Sequence, residues 1–134
     1  MTGRFRFKLY LILLVVFTVV LAVLSLRSFS VSAQVFSNQD KVGHFIAYAL
    51  TSWLACQVLG NRLKPLSTLF FSFLYASVTG AVLEIMQAYL TTTRQGEWAD
   101  LVANLLGALT GCVMFSLRQH FKSNNECNDT DNAA

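Results

Sequence analysis

The stretch RQGEWADLVANLLGALTG, residues 94 to 111, opens with mixed charge and continues as an apolar helix. Asp100 and Asn104 stand one helical turn apart in it, and Gly107 and Gly111 continue the same face. If this segment enters lipid, that face must meet protein or water. A charged side chain at mid-membrane costs about 2.5–3.5 kcal/mol on insertion scales. Which solvent the chain folds in therefore decides how these residues are read.

The 134 residues are 54% hydrophobic and 13% charged, with mean hydropathy +0.52. Soluble chains carry about 25% charged residues, so an ordinary soluble domain is excluded and one membrane domain is expected. Four runs, about Leu9–Leu26, Val42–Leu59, Leu66–Leu90 and Leu101–Leu117, match the roughly 17–25 residues of a spanning helix. They lack the period-two alternation of a β-barrel. Hydrocarbon offers the backbone no partner, so runs of this length should be helices. In GNRLKP, residues 60 to 65, Gly60 suits a helix end and Pro65 a helix start. The expected fold is an all-α membrane protein of four transmembrane helices joined by short loops. Residues 1–8 form a basic N-terminus, 9–117 the transmembrane domain, and 118–134 a polar tail expected to be disordered.

Lysine and arginine set the orientation. With the N-terminus inside, seven basic residues are cytoplasmic: Arg4, Arg6, Lys8, Arg62, Lys64, Arg118 and Lys122. Three lie outside: Arg27, Lys41 and Arg94. Positive residues favour the cytoplasmic side, giving an N-in, C-in topology. The basic N-terminus is read as topogenic, and no nucleic-acid partner is expected. A cleaved signal peptide ending at Val31-Ser32-Ala33 is the alternative for the first run. Its 18 residues exceed the roughly 7–15 of a signal core, and Arg27 intervenes, so a retained anchor is expected. Cys56 and Cys112 fall within helices and read as small apolar filler, while Cys127 lies in the tail.

Three stripes carry polar weight at the outer ends of their helices. They are Asp40, His44, Tyr48 and Thr51 in the second run, Ser77, Gly80, Glu84 and Gln87 in the third, and Asp100 and Asn104 in the fourth. Glu84 lies six residues before Leu90, roughly 9 Å below the outer end at 1.5 Å per residue. A carboxylate at that depth is a functional hypothesis by default. Antiparallel pairing of the third and fourth runs brings Glu84 and Gln87 beside Asp100 and Asn104, with Arg94 and Glu97 as a lid.

Each residue also has a structural reading. Asp40 and Asp100 can cap helices, where the dipole favours anions. Asn104 and Gln87 can join helices by hydrogen bonds, and Gly107 with Gly111 forms a GxxxG packing motif, its partner being the third helix or a second copy. His44 alone reads as an interfacial histidine, Trp98 as an interfacial anchor, and Phe70, Phe71 and Phe73 as facing lipid or core.

These residues resemble the VanZ-like family of bacterial membrane proteins from about Asp40 to Gly111. The resemblance rests on DKVGHFIAYAL, GAVLEIMQAYL and RQGEWADLVANLLGALTG. It implies that Asp40, Lys41, His44, Glu84, Gln87, Arg94, Asp100, Asn104, Gly107 and Gly111 are signature positions. Glu97 departs mildly from the expected Asp or other polar residue. The family's namesake is linked to teicoplanin resistance and relatives occur near envelope polysaccharide genes, so the resemblance implies a multi-pass protein of the bacterial inner membrane acting in envelope biology.

Two functions of different class follow. As an enzyme, Glu84, Asp100, His44 and Asp40 would be catalytic, with carboxylates in unequal environments dividing acid and base roles. Arg94 would hold a phosphate or carboxylate bidentately, and Gln87, Asn104 and Lys41 would join it in binding. The ligand expected is a membrane lipid or lipid-linked envelope precursor. As a binder or scaffold, the same pocket would hold a head group, an acyl tail or a partner membrane protein. A homo-oligomer is a further partner state. A small transporter ranks third, because the inner halves of the helices offer Ser, Thr and Gln57 but no charge. No cofactor is expected. Asp40, His44, Glu84 and Asp100 can be imagined around a metal, but their spacing fits no metal motif, so no metal is assigned.

Overall fold

Four α-helices make up the described chain in this computed structural model: α1 (Gly3–Leu26), α2 (Gln39–Leu59), α3 (Pro65–Leu90) and α4 (Trp98–Asp131). The structure describes residues 3–26, 39–90 and 98–131. All four helices are long and apolar enough to cross a membrane, which agrees with the four runs read from sequence.

Contacts between helix ends define an antiparallel bundle. The Gln87 amide at the end of α3 donates to the Ser25 carbonyl at the end of α1, at 2.9 Å. At the opposite end, Arg62 stacks 4.1 Å from the centroid of the Phe7 ring. α1 packs on α2 and α3, and α4 packs on α2 and α3 from across the bundle. A second polar tie, Thr18 Oγ1 to the Tyr75 hydroxyl at 3.0 Å, joins α1 to α3.

Local chemistry sets where the helices turn. Pro65 opens α3, a position where its missing N–H is harmless, and the Thr68 N–H donates to the Lys64 carbonyl at 2.9 Å. Gly60 follows α2, as expected of a residue at a helix end, but no described glycine has positive φ, so its left-handed freedom is not used. Its value is space: a Cβ there would lie 2.8 Å from both the Cys56 carbonyl and the Phe115 ring of α4.

α4 departs from expectation. It continues to Asp131 where a disordered tail was expected from residue 118. No Gly or Pro follows Gly111, so nothing in the chain breaks the helix, and the Asn124 amide meets His120 one turn back at 3.3 Å.

The interior is small and polar, and the exterior is large and apolar. The fully buried side chains of greatest volume are Asn104, Thr51, Thr68, Cys56, Ser52 and Ser72. Ile12, Val16, Phe70, Val78, Ile85 and Val113 are exposed. That inversion is what lipid permits, since hydrocarbon exerts no hydrophobic force between helices and close approach supplies the packing. Tyr89 and Trp98 are exposed at the ends of α3 and α4, where aromatic residues commonly meet the membrane interface.

The closest approach is between α2 and α4. A Cβ on Gly107 would collide with the Phe45 carbonyl oxygen and lie 3.0 Å from the Phe45 carbonyl carbon. One on Gly111 would collide with the Ala49 carbonyl oxygen and the Ser52 hydroxyl. The Ser52 hydroxyl donates to the Ala108 carbonyl at 2.8 Å across this seam. The GxxxG partner is therefore α2, not α3, while Gly80 of α3 lies against Asn104 of α4 and Tyr48 of α2. Apolar filling is concentrated elsewhere. Leu14, Leu54, Ala55 and Val58 join α1 to α2, and the Tyr10 and Trp53 rings meet edge to face at 6.3 Å.

Candidate functional site

The polar residues of three helices meet at one end of the bundle. α2 begins there with Asp40 in its first turn and α4 with Asp100 in its first turn. Two helix N-termini thus present their partial positive charge to these carboxylates. Their dipoles make acidic residues at this end less costly, and the depth of the others follows from helical spacing.

His44, one turn below Asp40, is the hub. Its Nδ1 lies 3.7 Å from Glu84 Oε1, both side chains being 11% exposed. Its Nε2 lies 4.0 Å from Asp40 Oδ1, on a side chain that is 54% exposed. These are ion-pair distances, longer than a hydrogen bond. One donor atom each from Asp40, His44 and Asp100 fall within 4.8 Å of one another. Asp100 and Glu84 are buried. The cluster therefore runs from an exposed carboxylate at the rim to buried ones beneath.

The layer below is closed by Tyr48, Gly80 and Asn104. The Tyr48 ring lies parallel to His44 within 3°, with centroids 6.4 Å apart. A Cβ at Gly80 would stand 3.1 Å from Asn104 Nδ2 and 3.2 Å from Tyr48 Cε1. Gly80 is thus the space in which those two side chains sit. Asn104 is fully buried, and neither its amide nitrogen nor its oxygen has a hydrogen-bond partner among the described residues. Packing alone gives no reason for an amide in that position, because an unmatched buried polar group costs about 1–3 kcal/mol.

Of the residues expected at the site, Asp40, His44, Glu84, Asp100 and Asn104 share this end of the bundle. Gln87 is buried and joined to α1: its amide donates to a carbonyl in the last turn, which has no partner within its own helix. Lys41 is half-buried next to Asp40 in sequence. Arg94 and Glu97, expected on the lid, lie outside the described residues. Tyr48 belongs with the site although it was read only as part of a stripe; its i,i+4 spacing from His44 is the available signal.

The opposite end differs. Cys56 and Cys112 are free thiols with Sγ atoms 4.0 Å apart, and Cys112 also points at the Leu69 carbonyl, 3.6 Å away. An apolar groove of about 400 Å³ between α3 and α4 is lined there by residues such as Leu66, Phe73 and Leu117. It is remote from every ionisable residue of the site.

No family model, curated protein or solved structure matches this chain. Over the described residues, the fold and the site define an all-helical protein with four helices long and apolar enough to cross a membrane and a charged cluster at one end of the bundle.

Proposed function

We propose that the chain is a VanZ-like protein of the bacterial inner membrane that binds a lipid-linked or lipoglycopeptide envelope ligand by its head group and acts on it. The convergence of Asp40 and His44 from α2, Glu84 from α3 and Asp100 from α4 supports this reading most. A bundle that needed only to pack would not gather three carboxylates around one histidine. The seven-to-three split of basic residues supports an N-in, C-in topology, which opens the cluster toward the outer leaflet. There a head group can reach it while its acyl chains stay in lipid.

A binder or scaffold without turnover is the second reading. Asn104 favours it, since a buried amide can offer two donors and an acceptor but no titratable proton.

Glu84 separates the two. Glu84→Gln keeps shape and hydrogen-bonding capacity but removes the charge, and a neutral amide is easier to hold in lipid. The enzyme reading expects the envelope phenotype, such as glycopeptide sensitivity, to match that of a deletion while blotted protein levels hold or rise. A binder should tolerate Gln much better than Ala. Full activity in both variants would reduce Glu84 to a structural residue and refute the site. Topology is checked separately with reporter fusions after Lys122. Activity in the cytoplasmic format is expected, and periplasmic activity would refute the orientation.

A further inference from the structure

The geometry points to a binding site for one divalent first-row cation, held by Asp40, His44 and Asp100, with Glu84 as the carboxylate that positions His44. This deepens the head-group reading above and rests on it for its biological meaning. The sequence spacing alone gave no metal motif, because the third donor comes from a different helix. Only the packing of α2 against α4 brings Asp100 to the i,i+4 pair of α2.

Donor atoms about 2.1 Å from a shared ion stand about 3–4.3 Å apart. Here they lie within 4.8 Å of one another, so a small rotamer change closes the set. Asp40, exposed over 54% of its side chain, has the freedom to make it. The helices that present the three donors are held together by Gly107, Gly111 and the Ser52 hydrogen bond. Metal sites in helical bundles are built in this way, from side chains on facing helices.

The two nitrogens of His44 face different carboxylates. Nε2 is turned to Asp40 at 4.0 Å, and Nδ1 to the buried Glu84 at 3.7 Å. A ligating histidine almost always gives its other ring N–H to a carboxylate, carbonyl or water, which fixes the ring and its tautomer. Glu84 faces that nitrogen and would accept its N–H once the 3.7 Å gap closes in the loaded site. It is a positioning residue in this scheme, acting through His44.

Asn104 points to a ligand independently. Helical side chains lean toward the helix N-terminus, so its amide, one turn below Asp100, tilts up toward the cluster. It is fully buried, and neither polar atom is matched among the described residues. Water on a bound ion would donate to Oδ1.

One imidazole and two carboxylates, with no thiolate, suit Mn²⁺, and Zn²⁺ should compete for the site. Three protein donors leave positions for water and for an oxygen of an anionic head group, phosphate being the best match.

The test uses full-length, detergent-solubilised protein without a polyhistidine tag, stripped with chelator and titrated with Mn²⁺ alone. One Mn²⁺ per chain is expected, with ¹⁴N coupling from a bound imidazole in pulsed electron paramagnetic resonance. Equimolar Zn²⁺ should displace it and equimolar Mg²⁺ should not. The chain has two histidines, so His44→Ala should abolish the coupling and His120→Ala should keep it. Asp100→Asn should weaken binding at least tenfold. Glu84→Gln should weaken it about 10–100-fold while retaining the ¹⁴N signal, which a purely structural role would not produce. Absence of saturable Mn²⁺ binding, or binding without ¹⁴N coupling in the unmodified protein, overturns the site even if a variant fails to fold. Binding unchanged in Asp100→Asn overturns the ligand set. A negative result leaves the head-group reading to its own test, which uses an envelope phenotype and no added metal.

Discussion

Both ends of this bundle bury polar side chains, yet they use them differently. At the end holding Gly60 and Pro65, hydroxyl and thiol groups are directed at backbone carbonyls. Thr68 turns to Leu63 at 3.4 Å and Cys112 to Leu69 at 3.6 Å. Ser52, nearer the middle, donates to Ala108 at 2.8 Å. At the other end, ionisable side chains from three helices face one another, and the amide beneath them has no protein partner among the described residues. The first pattern joins helices. The second gathers charge from three helices above an amide unmatched among the described residues. Polarity inside a membrane bundle is therefore not by itself a sign of function; charge shared across helices and an unmatched amide are.

That difference can be broken by substitution, and the largest expected effect is on the seam that holds both ends in place. Gly107→Leu drives a side chain into the Phe45 backbone, which cannot move aside as a flexible side chain would. Overpacking costs about 1–3 kcal/mol, occasionally more, and a backbone neighbour puts this case at the upper end. Monodisperse protein after detergent extraction should fall severalfold or vanish. Leu109→Phe, at a position exposed toward lipid, should leave yield and melting temperature unchanged. Equal tolerance at both positions would contradict the α2–α4 seam.

A smaller effect sharpens the contrast between the two kinds of polar residue. Ser52→Ala removes a hydrogen bond between helices, worth on average about 0.6 kcal/mol in membrane proteins, and should lower thermal stability slightly. Asn104→Ala removes an amide that has no partner among the described residues, so relief of its desolvation offsets the lost packing. Its stability should stay within about 1 kcal/mol of the parent while function is lost. A large destabilisation by Asn104→Ala, with function retained, would place Asn104 among the structural residues.

Much of the fold is legible in the amino-acid sequence. Spans are set by length and apolarity, and the runs at Leu9, Val42, Leu66 and Leu101 give all four helices to within a turn at most ends. The end of α4 was not, because Arg118–Asp131 is polar without a helix breaker, and such a stretch is compatible with either helix or coil. Glu84 was recognisable from its depth. Its approach to His44 was less so, since spacing marks a face of one helix and not what that face meets. For the same reason Gly107 and Gly111 announced close packing without naming α2. The partner of Gln87 is a backbone carbonyl, which every residue has, so no side-chain signature marks Ser25. Gly60 was legible as a turn residue but not for its actual use, which depends on Phe115 arriving from 55 positions away.

The most direct measurement is native mass spectrometry of the protein extracted gently from its own membrane, compared with Asn104→Ala and Glu84→Ala variants of equal yield. The central claim is that the charged end, and not the apolar groove at the far end, holds an envelope ligand. It predicts a co-purifying lipid or lipid-linked species on the parent protein that is lost or sharply reduced in both variants. Ser116→Ala, in the groove lining, should retain it. An identical lipid complement on all four proteins, or loss only in Ser116→Ala, would contradict the account.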